Sequence, residues 1–180
     1  MVASIETAPR PEDRFRALFS SQLAWMWTTL RRLGVRPADL EDVTHEVFIK
    51  VHAKLDTYEP TRPVRPWLFA FAYRAASDYR RLARHRELPS EVVPEMPATE
   101  EAADEALQRS EDRELLHAAL EAIDLERRAV LVAHEIDEVP MKDIAAALGI
   151  PINTAYSRLR IGRDELVTAV TRLRKRRGSP

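Results

Sequence analysis

The segment MKDIAAALGIPINTAYSRLRIGR, residues 141–163, carries the clearest structural signal in the C-terminal part of the chain. Four apolar residues near its start follow one another at helical steps: Met141, Ile144, Ala145 and Leu148. This spacing predicts a short helix over 141–148 with one apolar face. Gly149 follows directly, where a left-handed cap is expected, so the helix should end there.

A second helix is predicted after Ile150 and Pro151, from Ile152 to about Arg174. Its inner face has helical spacing and consists of Ile152, Ala155, Leu159, Gly162 and Leu166. Its polar side carries donors and cations: Asn153, Thr154, Tyr156, Ser157, Arg158, Arg160 and Arg163. Two helices joined by a short turn with glycine, the second one polar, are typical of a helix-turn-helix that enters the DNA major groove. A helical hairpin with a solvated basic face is the alternative.

Charge is unevenly distributed along the chain. Residues 87–112 hold nine acidic residues against one basic residue, Arg109, together with three prolines, so this segment is predicted to be a linker. Of the 28 basic and 29 acidic residues, 27 and 20 lie outside it, which leaves a balance of +7. The basic run at 172–177 fits either phosphate contact or a solubilising tail. The linker divides the chain into two helical domains, 10–86 and 113–177.

Composition indicates an all-α protein of the cytoplasm. The 180 residues include only four glycines and long stretches of Ala, Leu, Arg and Glu, which favour helices. The absence of cysteine excludes disulfides, thiolate metal sites and cysteine nucleophiles. No export signal and no apolar segment long enough for membrane insertion are found in the sequence.

The N-terminal domain is predicted to contain three helices. The first covers about 14–33 and stops at Gly34, and the second runs from about 37 to 55 with one apolar stripe. A proline-rich loop follows, and Pro66 then suits the first position of a third helix, from Trp67 to about Arg84. In the C-terminal domain, two helices at about 113–123 and 125–136 are predicted before the helix-turn-helix.

The third helix combines aromatic rings with cations. Its rings are Trp67, Phe69, Phe71, Tyr73 and Tyr79. Rings beside cations suit single-stranded DNA, because bases stack on the rings while the cations neutralise phosphates. Packing is the alternative role, and we assign Trp67, Phe71 and Phe69 to the core. The better candidates for DNA contact are Tyr73, Arg74, Asp78 and Arg81.

Three segments together resemble the extracytoplasmic-function sigma factors of the sigma-70 family, over nearly the whole chain. DLEDVTHEVFIKV at 39–51 looks like region 2.2, and RPWLFAFAYR at 65–74 with DYRR at 78–81 looks like regions 2.3 and 2.4. DIAAALGIP at 143–151 with NTAYSRL at 153–159 looks like region 4.2. The motifs stand in the family's order, with a linker in place of region 3.

The resemblance implies a factor that recruits RNA polymerase to promoters and helps to melt them, without enzymatic activity, metal or cofactor. Implied partners are core RNA polymerase through its β and β′ subunits, promoter DNA and an anti-sigma factor. The implied polymerase-binding residues are Asp39, Asp42, His45, Glu46 and Lys50. The implied minus-10 residues are Thr57, Arg65, Tyr73, Arg74, Asp78 and Arg81. The implied minus-35 residues are the seven polar residues of the recognition helix, 153 to 163.

Four positions depart from the family pattern. Tyr73 stands where Asn is usual, His45 where Gln is usual, Asp124 replaces Pro, and Asn153 replaces Gly. These departures concern promoter sequence and base capture more than the class of function. The resemblance also implies that the acidic linker lies in the RNA path of polymerase, and a plain spacer is the alternative.

Two other functions compete with this one. A conventional helix-turn-helix regulator would use the C-terminal domain alone and leaves the N-terminal domain unexplained. A metalloenzyme would use Glu41, His45 and His52, which share one helical stripe, but no second helix offers a further ligand.

Overall fold

The computed structural model describes residues 10–83 and 103–177, and these are helical throughout except for turns. The helices are α1 (Pro11–Arg32), α2 (Leu40–Ala53), α3 (Val64–Ala83), α4 (Ala103–Glu121), α5 (Leu125–Leu131), α6 (Met141–Leu148) and α7 (Ile152–Arg177). Two 3-10 turns, Pro37–Asp39 and Leu55–Thr57, flank α2, and a π-helical segment, Val132–Ile136, continues α5. The all-α prediction is confirmed.

In the first domain, α1 to α3 surround an apolar core. α1 starts with a proline and two acids in its first turn and ends before Gly34, whose φ of +97° is left-handed, as predicted for a stop. The core is formed by buried residues from all three helices: Met26, Leu30, Val47, Phe48, Val51, Leu68, Phe69 and Ala72. The stripe predicted on α2 therefore faces inward, although Val43 is only half-buried.

α3 begins at Val64, three residues earlier than predicted. Pro66 is thus its third residue, not its first. The shift is tolerated because the first four backbone N–H groups of a helix have no partner within the helix, so proline removes nothing there.

In the second domain, α4 starts at Ala103, ten residues before the predicted start at Arg113. The predicted linker at 87–112 was therefore drawn too long at its C-terminal end. The predicted linker has no proline after Pro97, and the run ADEALQ at 103–108 consists mostly of good helix formers, so local propensity outweighs the acidic charge. The rest of the predicted linker, 87–102, lies outside the described residues.

The helix-turn-helix is confirmed in its local geometry. Gly149 caps α6 with a φ of +66°, and the N–H of Ile150 donates to the carbonyl of Ala145 at 3.0 Å. The side of α6 that carries Met141, Ile144 and Ala145 is buried, and Ala155 and Leu159 of α7 pack against the same core. α7 continues three residues past the predicted end at Arg174.

The two domains contact each other directly. α6 packs along α3, α4 touches α1, and the buried apolar residues of both domains form one continuous cluster. Within the described residues, no helix has both the length and the apolar content needed to cross a bilayer.

Candidate nucleic-acid interface

One face of α7 is open to solvent and polar. Asn153, Tyr156, Ser157 and Arg160 are exposed, and Thr154 is half-buried. Arg160 has only a long contact, 3.9 Å, with Asp164 one turn away, and both side chains are more than 70% exposed. Such a pair contributes little to stability, so the guanidinium of Arg160 is available to another acceptor.

Two of the three arginines predicted to contact minus-35 DNA are paired with carboxylates of their own domain. Arg158 pairs with Glu126 at the start of α5, and its side chain is only 20% exposed. The Nε of Arg163 donates to Glu135 Oε1 at 3.0 Å. These pairs fix α7 against α5 and the π-helical segment. Their DNA contacts stay predictions, and Arg158 would have to leave its partner to make one.

Ile152 differs from its predicted position. It was assigned to the inner face of α7, but it is 43% exposed, because the first turn of the helix extends beyond the core reached by Ala155 and Leu159. Ile152 and Tyr156 lie one turn apart and are both exposed, so the face that carries Asn153 and Arg160 also has apolar surface.

A cleft of about 940 Å³ lies between α3 and α6. Three rings line it. Trp67 stands edge-on to Phe71 with centroids 4.9 Å apart, and Tyr58 lies 5.2 Å from Trp67. Of the three aromatic residues assigned to packing, only Phe69 is fully buried, whereas Trp67 and Phe71 are half-buried and face this space. Tyr58, in the proline-rich loop, was not predicted as a site residue.

Polar residues of α3 surround these rings. Arg74 and Asp78 line the cleft, and Arg81 contacts Asp78 at 3.4 Å. Thr57 lies at the rim and donates to the carbonyl of Lys54 at 2.7 Å. Arg65 is exposed, with its guanidinium 5.8 Å from the ring centre of Trp25. Of the predicted minus-10 residues, Thr57, Arg74 and Asp78 thus line the cleft, Arg81 contacts one of them, and Arg65 lies against Trp25 instead.

Tyr73 is half-buried and lies near charged residues of the second domain. Its burial, and then the nearby Glu126 carboxylate, raise the pKa of the Tyr73 phenol above its usual value of 10. The hydroxyl therefore stays protonated at neutral pH and can donate a hydrogen bond.

The exposed face of α2 is a third surface. Asp42, His45, Glu46 and Lys50 lie on it over about two helical turns and are all exposed. Ile49 lies among them and is 58% exposed. The sequence analysis did not select Ile49 as a site residue. Its position outside the apolar stripe of residues 40, 43, 47 and 51 could have indicated that it is exposed.

Asp39 has an internal role that the sequence did not reveal. Its carboxylate accepts the hydroxyl of Tyr79 at 2.5 Å and the Nε of Arg36 at 3.0 Å. The hydrogen bond from Arg36 to the Tyr79 hydroxyl, at 2.8 Å, and then the one to Asp39 raise the pKa of Arg36, and burial followed by Asp39 raises that of Tyr79. The cluster joins the start of α2 to α3.

The metal alternative gains no support. Within the described residues, no three acidic or histidine side chains come together as a metal site. His52 instead packs edge-on against Phe15, with centroids 4.7 Å apart.

Comparison with known proteins gives consistent matches. Residues 18–86 match the family model for Sigma-70 region 2, and residues 113–166 match that for Sigma-70, region 4. The chain is 31% identical to the ECF RNA polymerase sigma factor SigL of Mycobacterium tuberculosis, over 80% of this chain and 81% of that protein. It is 28% identical to the ECF RNA polymerase sigma-E factor of Escherichia coli K12, over 79% of each. The fold resembles that of the sigma factor RpoE in complex with the anti-sigma factor NepR from Bartonella quintana, with a TM-score of 0.66, 20% identity and coverage of 88% and 97%.

Proposed function

Because this chain belongs to the extracytoplasmic-function sigma factors of the sigma-70 family, non-enzymatic proteins that direct RNA polymerase to promoters, we propose that it performs this task through three surfaces. The domain 10–86 would bind polymerase and the minus-10 element, and the domain 113–177 the minus-35 element.

The exposed face of α7 would read duplex DNA at the minus-35 element. Asn153, Tyr156, Ser157 and Arg160 offer donors, acceptors and one guanidinium on a single helix side, which is what base edges in the major groove require. Thr154 lies beside this face, where it would contact phosphates. Arg158 and Arg163 would do so only after leaving their carboxylate partners, Glu126 and Glu135.

The cleft between α3 and α6 would receive an unpaired base of the minus-10 element. Tyr58, Trp67 and Phe71 provide ring faces for stacking, and Arg74 supplies positive charge beside them. Stacking and phosphate contacts would offset the free-energy cost of unstacking the base, which is a few kcal/mol.

The exposed face of α2 would bind the β′ subunit of core polymerase, through Asp42, His45, Glu46 and Lys50 around Ile49, with Asp39 at the start of the helix. This face is the observation that carries the proposal. An apolar side chain surrounded by charges suits a protein partner, and a regulator that binds only DNA has no use for it.

Three further points follow from family membership. We expect the protein to act in the cytoplasm, where polymerase and DNA are found. We expect an anti-sigma factor to compete for the surfaces named above. The acidic linker would either lie in the RNA path of polymerase, with carboxylates in place of phosphates, or serve as a spacer.

Association with core polymerase tests the proposal most directly. Purified full-length protein is mixed with core enzyme that lacks its sigma subunit, and the complex is isolated by size exclusion. We expect a stoichiometric complex that initiates transcription from a genomic promoter library. Failure to bind core enzyme, together with retained DNA binding, would establish a conventional regulator instead.

A further inference from the structure

The first turns of α7 present apolar surface on a face that is otherwise polar. Ile152, the first residue of the helix, is 43% exposed, and Tyr156, one turn later, is 53% exposed. Behind them, Ala155 and Leu159 are buried and hold the helix against the core. Exposure of Ile152 and of the Tyr156 ring to water costs free energy, which a ligand that covers them would recover.

Ile152, Tyr156 and Arg160 form one row along the helix. Residues four apart lie on the same side of an α-helix, so these three side chains share a single ridge. Arg160, at the far end of the row, is 72% exposed. With a rise of about 1.5 Å per residue the row is about 12 Å long, which equals roughly three to four base pairs at about 3.4 Å each. Its apolar end and its guanidinium can therefore face different base pairs of one duplex.

The charges around this row favour DNA over a protein as the partner. Residues 152–163 include three arginines and no acidic residue, which suits a polyanion. Asn153 and Ser157 are exposed beside the row and offer hydrogen-bond donors and acceptors. Base edges in the major groove, with phosphates on both sides, offer the matching groups. The duplex that binds these polar side chains would also cover Ile152 and Tyr156.

Of the four bases, only thymine carries a methyl group in the major groove. The other bases are distinguished there by hydrogen-bond donors and acceptors, which an isoleucine side chain cannot use. Contact between a methyl group and an apolar side chain removes the surface of both from water. Guanine, through its O6 and N7 atoms, suits the guanidinium of Arg160 at the other end of the row.

We propose that Ile152 and the ring of Tyr156 contact 5-methyl groups of thymines in the minus-35 element. The protein then selects promoters that carry thymine within about four base pairs of the guanine bound by Arg160. This inference rests on the proposed function, because it takes α7 as the helix that enters the minus-35 major groove. It adds a preference for particular bases to that function.

Replacement of thymine by deoxyuridine tests the methyl contact. Uracil pairs with adenine as thymine does and lacks only the methyl group, so the replacement removes no hydrogen bond. Each thymine of the minus-35 element is replaced in turn, in a promoter selected from the genomic library. The full-length protein bound to core polymerase is titrated with these duplexes. We expect deoxyuridine to weaken binding about fourfold at one or two positions, which is the effect of one buried methyl group, and to have no effect at the others.

Variants of α7 assign the contact to its residues. Ile152→Ala and Tyr156→Ala should each abolish the preference for thymine over deoxyuridine at the position that the residue contacts. Tyr156→Phe should retain the preference, because the ring and not the hydroxyl makes the contact. Val167→Ala is the matched control, since Val167 is an exposed apolar residue further along α7, and it should also retain the preference.

The possible failures have different meanings. Equal binding of thymine and deoxyuridine duplexes by the unmodified protein would overturn the methyl contact, and so would selected promoters without thymine in the minus-35 element. An unchanged preference in both alanine variants, each folded by circular dichroism, would overturn the assignment to Ile152 and Tyr156. In all of these cases the complex with core polymerase still binds promoters. If no such complex forms, the proposed function fails, and this inference fails with it.

Discussion

Arg158 and Arg160 lie two residues apart on α7, yet their surroundings differ. Arg158 is largely buried against Glu126, whereas Arg160 is 72% exposed with one long contact at 3.9 Å. The sequence presents both as cations of a recognition helix. Only the position of α5 separates a residue that fixes the domain from one that can reach DNA.

Replacing each arginine by alanine should therefore have different effects. Arg160→Ala should weaken binding of a minus-35 duplex by about 1 to 3 kcal/mol if it makes a bidentate base contact, with the melting temperature unchanged. Arg158→Ala should mainly lower the melting temperature, because Glu126 loses its partner. Duplex binding by anisotropy and thermal unfolding by circular dichroism separate the two. Equal loss of duplex affinity in both variants would contradict this distinction.

His117 on α4 couples stability to pH. Burial, and then Arg31 and Arg32, lower its pKa from 6.5 to about 4, and its Nδ1 is buried without a partner. The imidazole of residue 117 binds a proton more readily in the unfolded chain than in the folded chain. The stability associated with neutral His117 is therefore fully present above pH 6.5 and is lost as pH falls toward 4.

His117→Leu should remove this dependence. Relative to the variant, the unmodified chain should lose on the order of 2 kcal/mol of unfolding free energy between pH 7 and pH 4.5, a value already reduced for partial exposure. Urea denaturation at each pH measures it. Burial also raises the pKa of Asp137, so protonation of this carboxylate favours the folded chain as pH falls, opposite to the effect of His117. Asp137 is present in both proteins, so its contribution cancels in the difference between them. A constant difference across this pH range would refute the coupling.

At the scale of the element, α2 shows how one helix serves two purposes. Its stripe of Leu40, Val47 and Val51 packs into the first domain, while Ile49 stays exposed among charged residues. Three residues at helical spacing hold the helix in place. The opposite face can then contribute to binding without a loss of stability.

Ile49→Lys should weaken core polymerase binding at least tenfold, because an apolar contact in a largely desolvated interface is replaced by a charge. Val167→Lys on α7 is the matched control, since Val167 is 67% exposed and lies outside the three proposed surfaces. Affinity is measured by anisotropy with labelled protein. Both variants should melt as the unmodified chain does, and equal effects on core binding would argue against the α2 surface.

At the scale of the whole molecule, the length of chain between the domains limits how far they can separate. Residues 84–102 connect α3 to α4. These 19 residues reach about 65 Å when fully extended, at about 3.5 Å per residue. Together with the width of the domains, this is enough for two promoter elements about 85 Å apart.

Deleting residues 88–97 reduces that reach to about 30 Å. We expect the shortened protein to bind core polymerase but to lose protection of the minus-35 element in footprints of the promoter complex. Replacing the same residues with a Gly/Ser repeat of equal length should retain protection, because reach is unchanged. Protection by the shortened protein would show that the linker does not limit domain separation.

Local sequence signals were sufficient to locate most of the helices and to indicate the family. Apolar spacing located α2, α6 and α7, Gly34 and Gly149 marked the ends of two helices, and three motifs in order indicated a sigma factor, because these signals arise between neighbours along the chain. The position of α4's first residue was wrong, because charge composition was weighed above helix propensity.

Which side chains remain accessible depends on tertiary contacts. The fold pairs Arg158 with Glu126, leaves Ile152 and Ile49 exposed, brings Trp67 and Phe71 to a cleft, and places Arg32 opposite Asp137. Each of these depends on where a second helix lies, which for Arg32 and Asp137 is 105 residues away along the chain. Periodicity within one helix carries no information about such distances, so these contacts could not be predicted from the sequence.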